Sequence, residues 1–261
     1  MSGSGDEPPE GPLELPVVTL EATAAEALLR DGEVDLVGRI VGSSNGALVA
    51  TVTRHCPDPE PDLTAAAVYK PIRFERPLVD FPDGTLAARE VASYVLSAAS
   101  GWRIVPPTVL RDGPAGPGMF QLWIGVDDTV DRVELALEDD RRLRGMALFD
   151  VLANNADRKI GHLLPVQGGH VYGVDHGLTF HVEPKLRTVL WRWRGQRLEP
   201  DELERVEALR DELAGALGAR LRTLLAPSEV AMTLRRAERL LRSGRFPQPD
   251  RDRPAIPWPP Y

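Results

Sequence analysis

Four short stretches carry side chains whose types and spacing suit chemistry on phosphates. Gly42-Ser43-Ser44-Asn45-Gly46 joins two apolar runs. Its hydroxyls and backbone N–H groups can cap phosphate oxygens, although an ordinary hairpin turn has the same composition. Lys70 closes the apolar run Ala66-Ala67-Val68-Tyr69 and precedes Pro71. An ammonium there can reach the phosphates of a nucleotide if a counter-charge fixes its direction. Glu90 can supply that charge, because a helix begun near Thr85 puts Leu86, Glu90 and Tyr94 on one face. Asp157 and His162 lie in Asn154-Asn155-Ala156-Asp157-Arg158-Lys159-Ile160-Gly161-His162, a polar turn after an apolar run. Asp157 can orient an attacking hydroxyl, and His162 can reach a metal or a phosphate. Asp175 leaves a short apolar run and enters a turn at Gly177. A carboxylate so placed suits magnesium, which takes oxygen ligands and keeps waters. Holding phosphates, placing a metal and directing a nucleophile are the needs of phosphoryl transfer.

The flanking patterns predict the elements that position these groups. Strands are expected at 34–41, 47–53 and 65–70, a helix at 85–100, and strands at 104–110 and 119–124. A polar linker follows at 125–131. Beyond it the pattern turns helical: a helix at 139–153, a polar turn at 154–162, and a small hairpin from 163–166 and 170–174. Helices at 200–225 and 228–243 come next, then a Pro-rich tail packed by Trp258 and Tyr261. The order strands–helix–strands and then helices predicts an α+β chain of two lobes. The expected division is a disordered leader at 1–16, an antiparallel-sheet lobe at 17–127, a mainly helical lobe at 128–245 and the tail at 246–261.

Bulk properties narrow the partners. The chain has 261 residues, 43% hydrophobic, with a formal net charge of −8. That charge argues against nucleic acid, whose phosphate backbone selects basic surfaces. No run approaches the roughly 18 apolar residues of a transmembrane helix, and the acidic Gly/Pro-rich start is unlike a signal peptide. One cysteine, Cys56, allows no internal disulfide. These features predict a soluble cytoplasmic protein. Of 31 basic residues only Lys70, Lys159 and Lys185 are lysines, a bias that points to a GC-rich bacterial genome. Residues 185–197 hold Lys185, Arg187, Arg192, Arg194 and Arg197 with no acidic residue, and Trp191 and Trp193 alternate with arginines. This segment either faces an anionic acceptor or is a strand with one packed aromatic face.

The motifs resemble those of the phosphatidylinositol 3-/4-kinase superfamily. Asp157-Arg158 resembles its catalytic Asp-Arg, and Asp175-His176-Gly177 resembles its metal-binding Asp-x-Gly, eighteen residues on. Tyr69-Lys70-Pro71 and Ile104-Val105-Pro106-Pro107-Thr108 resemble segments of the type II phosphatidylinositol 4-kinases. HipA-type protein kinases share this architecture. The resemblance, over about residues 34–245, implies a protein-kinase-like fold and an ATP-dependent phosphotransferase using Mg2+, with Mn2+ an alternative. It implies catalytic roles for Asp157 and Arg158, and an adenine-holding connection at Gln121, Leu122 and Trp123. It implies metal ligation by Asp175 and, where the family has Asn, by His162. Imidazole is a poor magnesium ligand. Two other readings therefore fit the same residues: a nucleotide-binding pseudokinase module, or a kinase fold transferring a nucleotidyl group. The residues do not name the acceptor.

Overall fold

The computed structural model describes residues 15–40 and 46–261. The expected phosphate-capping residues Ser43, Ser44 and Asn45 lie outside them, as does most of the leader.

A five-stranded antiparallel sheet forms the first lobe, in the order β1-β2-β3-β5-β4. The strands are β1 (Glu33–Arg39), β2 (Leu48–Arg54), β3 (Leu63–Pro71), β4 (Thr108–Gly113) and β5 (Gly116–Leu122). Alternation divides their side chains between two faces. Ala50, Val52, Ala67, Tyr69, Phe120 and Leu122 pack under helix α1 (Ala22–Asp31) through its Ala25, Leu28 and Leu29. Val68 and Met119 turn to the opposite face and join the larger core around helix α2 (Leu86–Ala99). Lys70 sits on that second face, paired in register with Met119. Gly118 makes this pairing possible, since a Cβ there would collide with the Lys70 carbonyl and the Pro71 backbone.

The second lobe is mainly helical. It comprises α3 (Arg132–Leu137), α4 (Arg141–Ala153), α5 (Pro200–Ala214), α6 (Ala216–Leu221) and α7 (Pro227–Ser243), with a two-stranded hairpin of β6 (Leu163–Pro165) and β7 (Val171–Gly173). Leu143, Met146, Leu148, Phe149 and Leu152 of α4 are wholly buried and form the centre of the main core. Val206, Leu209 and Leu213 of α5 and Val230, Ala237 and Leu240 of α7 close it from the other side.

Several expectations require correction. The sequence reading had no helix at α1 and none at α3. The continuous helix expected at 200–225 breaks at Gly215 (φ −114°, ψ −124°), where α5 gives way to α6. The strand expected at 104–110 starts only at Thr108, because Pro106 and Pro107 lack the N–H that a ladder needs. The connection between the strands expected at 104–110 and 119–124 is a tight hairpin that turns between Gly113 and Gly116. Residues 185–197 form no strand; Trp191–Trp193 is one 3-10 turn with Trp193 buried. In the tail Trp258 is 89% exposed, and the aromatic that anchors the segment is buried Phe246.

Candidate active site

Helix α4 ends at Asn154, whose left-handed backbone (φ 51°, ψ 49°) stops the helix. The Asn154 side chain then donates to the carbonyls of His181 and Glu183, and so holds the chain that follows β7. Asn155 donates from Nδ2 to Asp150 Oδ1 at 2.9 Å and accepts from the Asp157 amide at 3.0 Å. The turn carrying Asp157 is thereby fixed by side chains rather than by regular pairing.

Arg158 takes a position unlike the expected catalytic one. Its guanidinium is fully buried, bidentate to Asp150 at 2.9–3.2 Å, and donates to the Val174 carbonyl and to His176 Nε2 at 2.6 Å. It joins the Asp157 turn to the Asp175 turn and faces no open space. Because Arg158 donates to Nε2, the His176 proton lies on Nδ1. That buried atom has no hydrogen-bond partner among the described residues, and the ring stands edge-on to Phe149.

Four expected residues meet on the face of the sheet beneath α2. Lys70 Nζ lies 2.6 Å from Glu90 Oε1 and 2.8 Å from Asp175 Oδ1. The other Glu90 oxygen accepts from the His176 amide at 2.8 Å, so one carboxylate ties β3 and α2 to the Asp175 turn. Asp175 adopts φ 60°, a left-handed conformation uncommon for a residue with a side chain. His162 Nε2 stands 3.6 Å from Asp175 Oδ2. Asp157 pairs with Lys159 at 3.2 Å instead.

The electrostatics follow from this geometry. Burial alone would lower the Lys70 ammonium, but the carboxylates of Asp175 and Glu90 outweigh it and hold its pKa above the ordinary value. Lys70 depresses Asp175 well below the usual carboxylate range against the effect of burial, with His162 a smaller contributor. Burial pushes His162 down to about 4, despite the opposing pull of Asp175, so the imidazole is neutral near pH 7. Burial also raises Asp157, with Lys159 pulling the other way.

Gln121, Leu122 and Trp123, expected to hold a base, lie at the end of β5 and just past it. Leu122 is buried beneath α1, on the sheet face away from Lys70. Gln121 is buried and donates to Thr108 Oγ1 at 2.9 Å. The Trp123 amide is already bonded to the Ala66 carbonyl at 3.0 Å, while its side chain is partly exposed. Sequence reasoning missed the supports. Glu75 caps the start of α2 by accepting from the Leu86 and Ala87 amides. Arg89, buried on α2, reaches Glu229 of α7 at 2.6 Å and the Thr179 carbonyl at 2.7 Å. Asp150 had a visible signal: a lone carboxylate within the apolar run of α4.

Comparison with known proteins bears on the family and the fold. The chain is 42% identical over 275 residues to the protein Rv2133c of Mycobacterium tuberculosis, covering 90% of this chain and 95% of that one. It belongs to the family of that mycobacterial protein. No protein-family model matches the chain. Among solved structures, the golgi casein kinase superposes with a TM-score of 0.53 at 15% identity, over 88% of this chain and 79% of that one. The structure of hydra Fam20 with sugar gives 0.52 at 13% identity, over 88% and 91%. At these identities the likeness concerns the fold, which is the two-lobed protein-kinase-like fold. No helix among the described residues is long and apolar enough to cross a membrane.

Proposed function

We propose that this protein is an ATP-dependent phosphotransferase related to the phosphatidylinositol 3-/4-kinases, with an alcohol as acceptor. One observation carries the reading: Lys70 Nζ is fixed between Glu90 at 2.6 Å and Asp175 at 2.8 Å, with Asp157 nearby on a turn of its own. Such a lysine binds phosphate oxygens without searching for its position, because two carboxylates from different elements have already oriented it. Asp157, partly desolvated and not engaged by Lys70, accepts a hydrogen bond from the acceptor hydroxyl and directs it. Arg158 keeps Asp157 and Asp175 at a fixed separation through Asp150 and His176, a positioning role.

The donor set bears on the metal. Among the described residues no group of three or more His, Cys, Asp or Glu side chains could hold an ion. Asp175 and His162 are two candidate ligands, and magnesium usually completes its shell with phosphate oxygens and water. The residues therefore fit a metal that arrives with the nucleotide. Asp175 would hold it, and the metal would neutralise charge on the transferred phosphoryl group. His162, as a neutral imidazole, favours a softer ion than magnesium. It is also the feature that favours the second reading, a nucleotide-binding module without transfer.

The deciding experiment incubates the protein with ATP labelled at the γ-phosphate or in the adenylate, with Mg2+ or Mn2+, and a panel of hydroxyl acceptors. Loss of γ label from ATP to an acceptor supports the kinase reading. Adenylate transfer assigns the protein to nucleotidyl transfer, and saturable binding without turnover assigns it to the module.

A further inference from the structure

A concave site adjoins the Asp157 turn without including Lys70, Glu90 or Asp175. It is a cavity of about 790 Å³, a size that suits a drug-sized organic molecule. Asn154 and Ala156 form part of its wall, so it begins one residue before Asp157. Its apolar surface includes Phe81, Leu178, Trp191, Met232 and Phe246. Its charge is one-sided. Lys185, Arg187, Arg236, Arg239, Arg245 and Arg253 line it, against Asp80 and Asp250.

Two of these cations are neutralised locally, Lys185 by Asp80 at 2.6 Å and Arg253 by Glu183 at 3.7 Å. Arg187, Arg236, Arg239 and Arg245 have no carboxylate at ion-pair distance among the described residues. Arg236 is the informative one. It is 8% exposed, and its guanidinium is satisfied only by neutral oxygens: the Leu152 and His181 carbonyls and Thr233 Oγ1. Burial, with repulsion from Arg239, lowers its pKa to about 10 against a smaller attraction from Glu229, whose carboxylate is beyond ion-pair distance and is engaged by Arg89. A buried charge ordinarily has an opposite charge beside it, because desolvation costs several kcal/mol. Arg239 stands one turn further along the same face of α7, and Arg187 donates Nε to the Ala156 carbonyl at 2.8 Å beside Asp157.

We propose that this cavity is the acceptor site, and that the acceptor is a small organic anion. Its phosphate or carboxylate lies against Arg236, Arg239 and Arg187, its apolar body lies along Phe81, Trp191 and Phe246, and its hydroxyl faces Asp157. The acceptor role rests on the phosphotransferase reading above; the binding site does not. On this reading a neutral molecule of the same shape binds less well, since it leaves Arg236 without a directly paired anion. The apolar wall explains why a bare inorganic anion is a poor substitute.

Octyl phosphate is a suitable probe, because it has the anion and the apolar body but no hydroxyl to react. Calorimetric titration below its micelle concentration should give saturable one-to-one binding, with inorganic phosphate and octanol each much weaker. Arg239→Ala, at an exposed position, should weaken it roughly tenfold, the value of one charge-assisted hydrogen bond. Arg236→Gln should do at least as much, with circular dichroism reporting its fold. Lys70→Met should keep octyl phosphate while losing ATP, which separates the two sites. Equal binding to wild type and Arg239→Ala, or no binding at all, overturns the proposal and leaves the nucleotide reading untouched. Arg239-dependent binding in a protein that never binds ATP overturns the acceptor role alone. Arg239-dependent sedimentation with phosphatidylcholine vesicles doped with phosphatidic acid, without octyl phosphate binding, overturns the assignment to a small molecule.

Discussion

Arg158 and Asp150 form an ion pair 2.9 Å apart in which both side chains are fully buried. The pair stands under the two turns that carry Asp157 and Asp175. Removing one partner leaves an uncompensated interior charge, which typically costs about 3–5 kcal/mol. Arg158→Met should therefore lower the unfolding free energy by that amount, read from the shift of the urea midpoint at unchanged slope. Asp150→Leu combined with Arg158→Met should cost less than the two single changes added together. Retained stability with loss of transfer alone in Arg158→Met would mean that the guanidinium serves the reaction directly.

Lys70 supplies the second test. Lys70→Met should weaken ATP binding severely, whereas Lys159→Met and Lys185→Met should have smaller effects. The side chain of Glu90 is only 2% exposed, so losing its partner also costs stability. Glu90→Gln separates the two effects, because it disturbs the lysine's orientation and leaves the ammonium in place. Titration with a fluorescent ATP analogue reads the affinities. Unchanged affinity in Lys70→Met removes the nucleotide site from this cleft.

How far the sequence revealed this site depends on the range of the interactions. The meeting of Lys70 with Glu90 was legible because strand alternation and a helix face each turn one polar group inward, and those are short-range patterns. The contact of Lys70 with Asp175 joins residues 105 positions apart and left no local trace. The burial of Arg158 against Asp150 was illegible for a related reason: a polar turn shows which residues are polar, not which of them the fold buries. Leu122 was expected beside a base, whereas the alternation of β5 turns its side chain under α1, on the face away from Lys70. Helix α1, with only Ala25, Leu28 and Leu29 buried, is too short for a periodic signal to stand out. The break at Gly215 lies inside a pattern that stays helical on both sides.

A pH effect is expected far from the site, at His55. Its ring meets Asp62 at 2.7 Å and Glu33 at 3.2 Å, and their hydrogen bonds raise its pKa above 6.5, that of Asp62 contributing most. A raised imidazole stabilises the fold fully below the unfolded value and loses that contribution as pH rises through the folded value. The histidine signal of His55 in an NMR titration should therefore move above 6.5, and back toward it in Asp62→Asn. A midpoint at or below 6.5 in the wild type contradicts the clamp.

Asp175, Asp157 and His162 should respond differently to substitution, because each holds a different place around Lys70. Asp175 is 2.8 Å from Lys70 and 3.6 Å from His162, so its loss removes both the lysine's second partner and the proposed metal ligand. Asp175→Ala should weaken binding of the metal–nucleotide complex and abolish transfer. Asp157 contacts Lys159 rather than Lys70, so Asp157→Ala should leave nucleotide affinity within about threefold, under 1 kcal/mol, while removing transfer. His162→Asn exchanges a neutral imidazole for an amide oxygen, a harder donor that suits magnesium better. Transfer with Mg2+ should be kept or rise in that variant, and the ratio of Mn2+ to Mg2+ activity should fall. Titrating ATP and metal against the wild type and the three variants, with γ-label transfer followed in parallel, separates these roles. If Asp175→Ala binds the metal–nucleotide complex as tightly as the wild type, the phosphates lie elsewhere and Lys70 has another purpose.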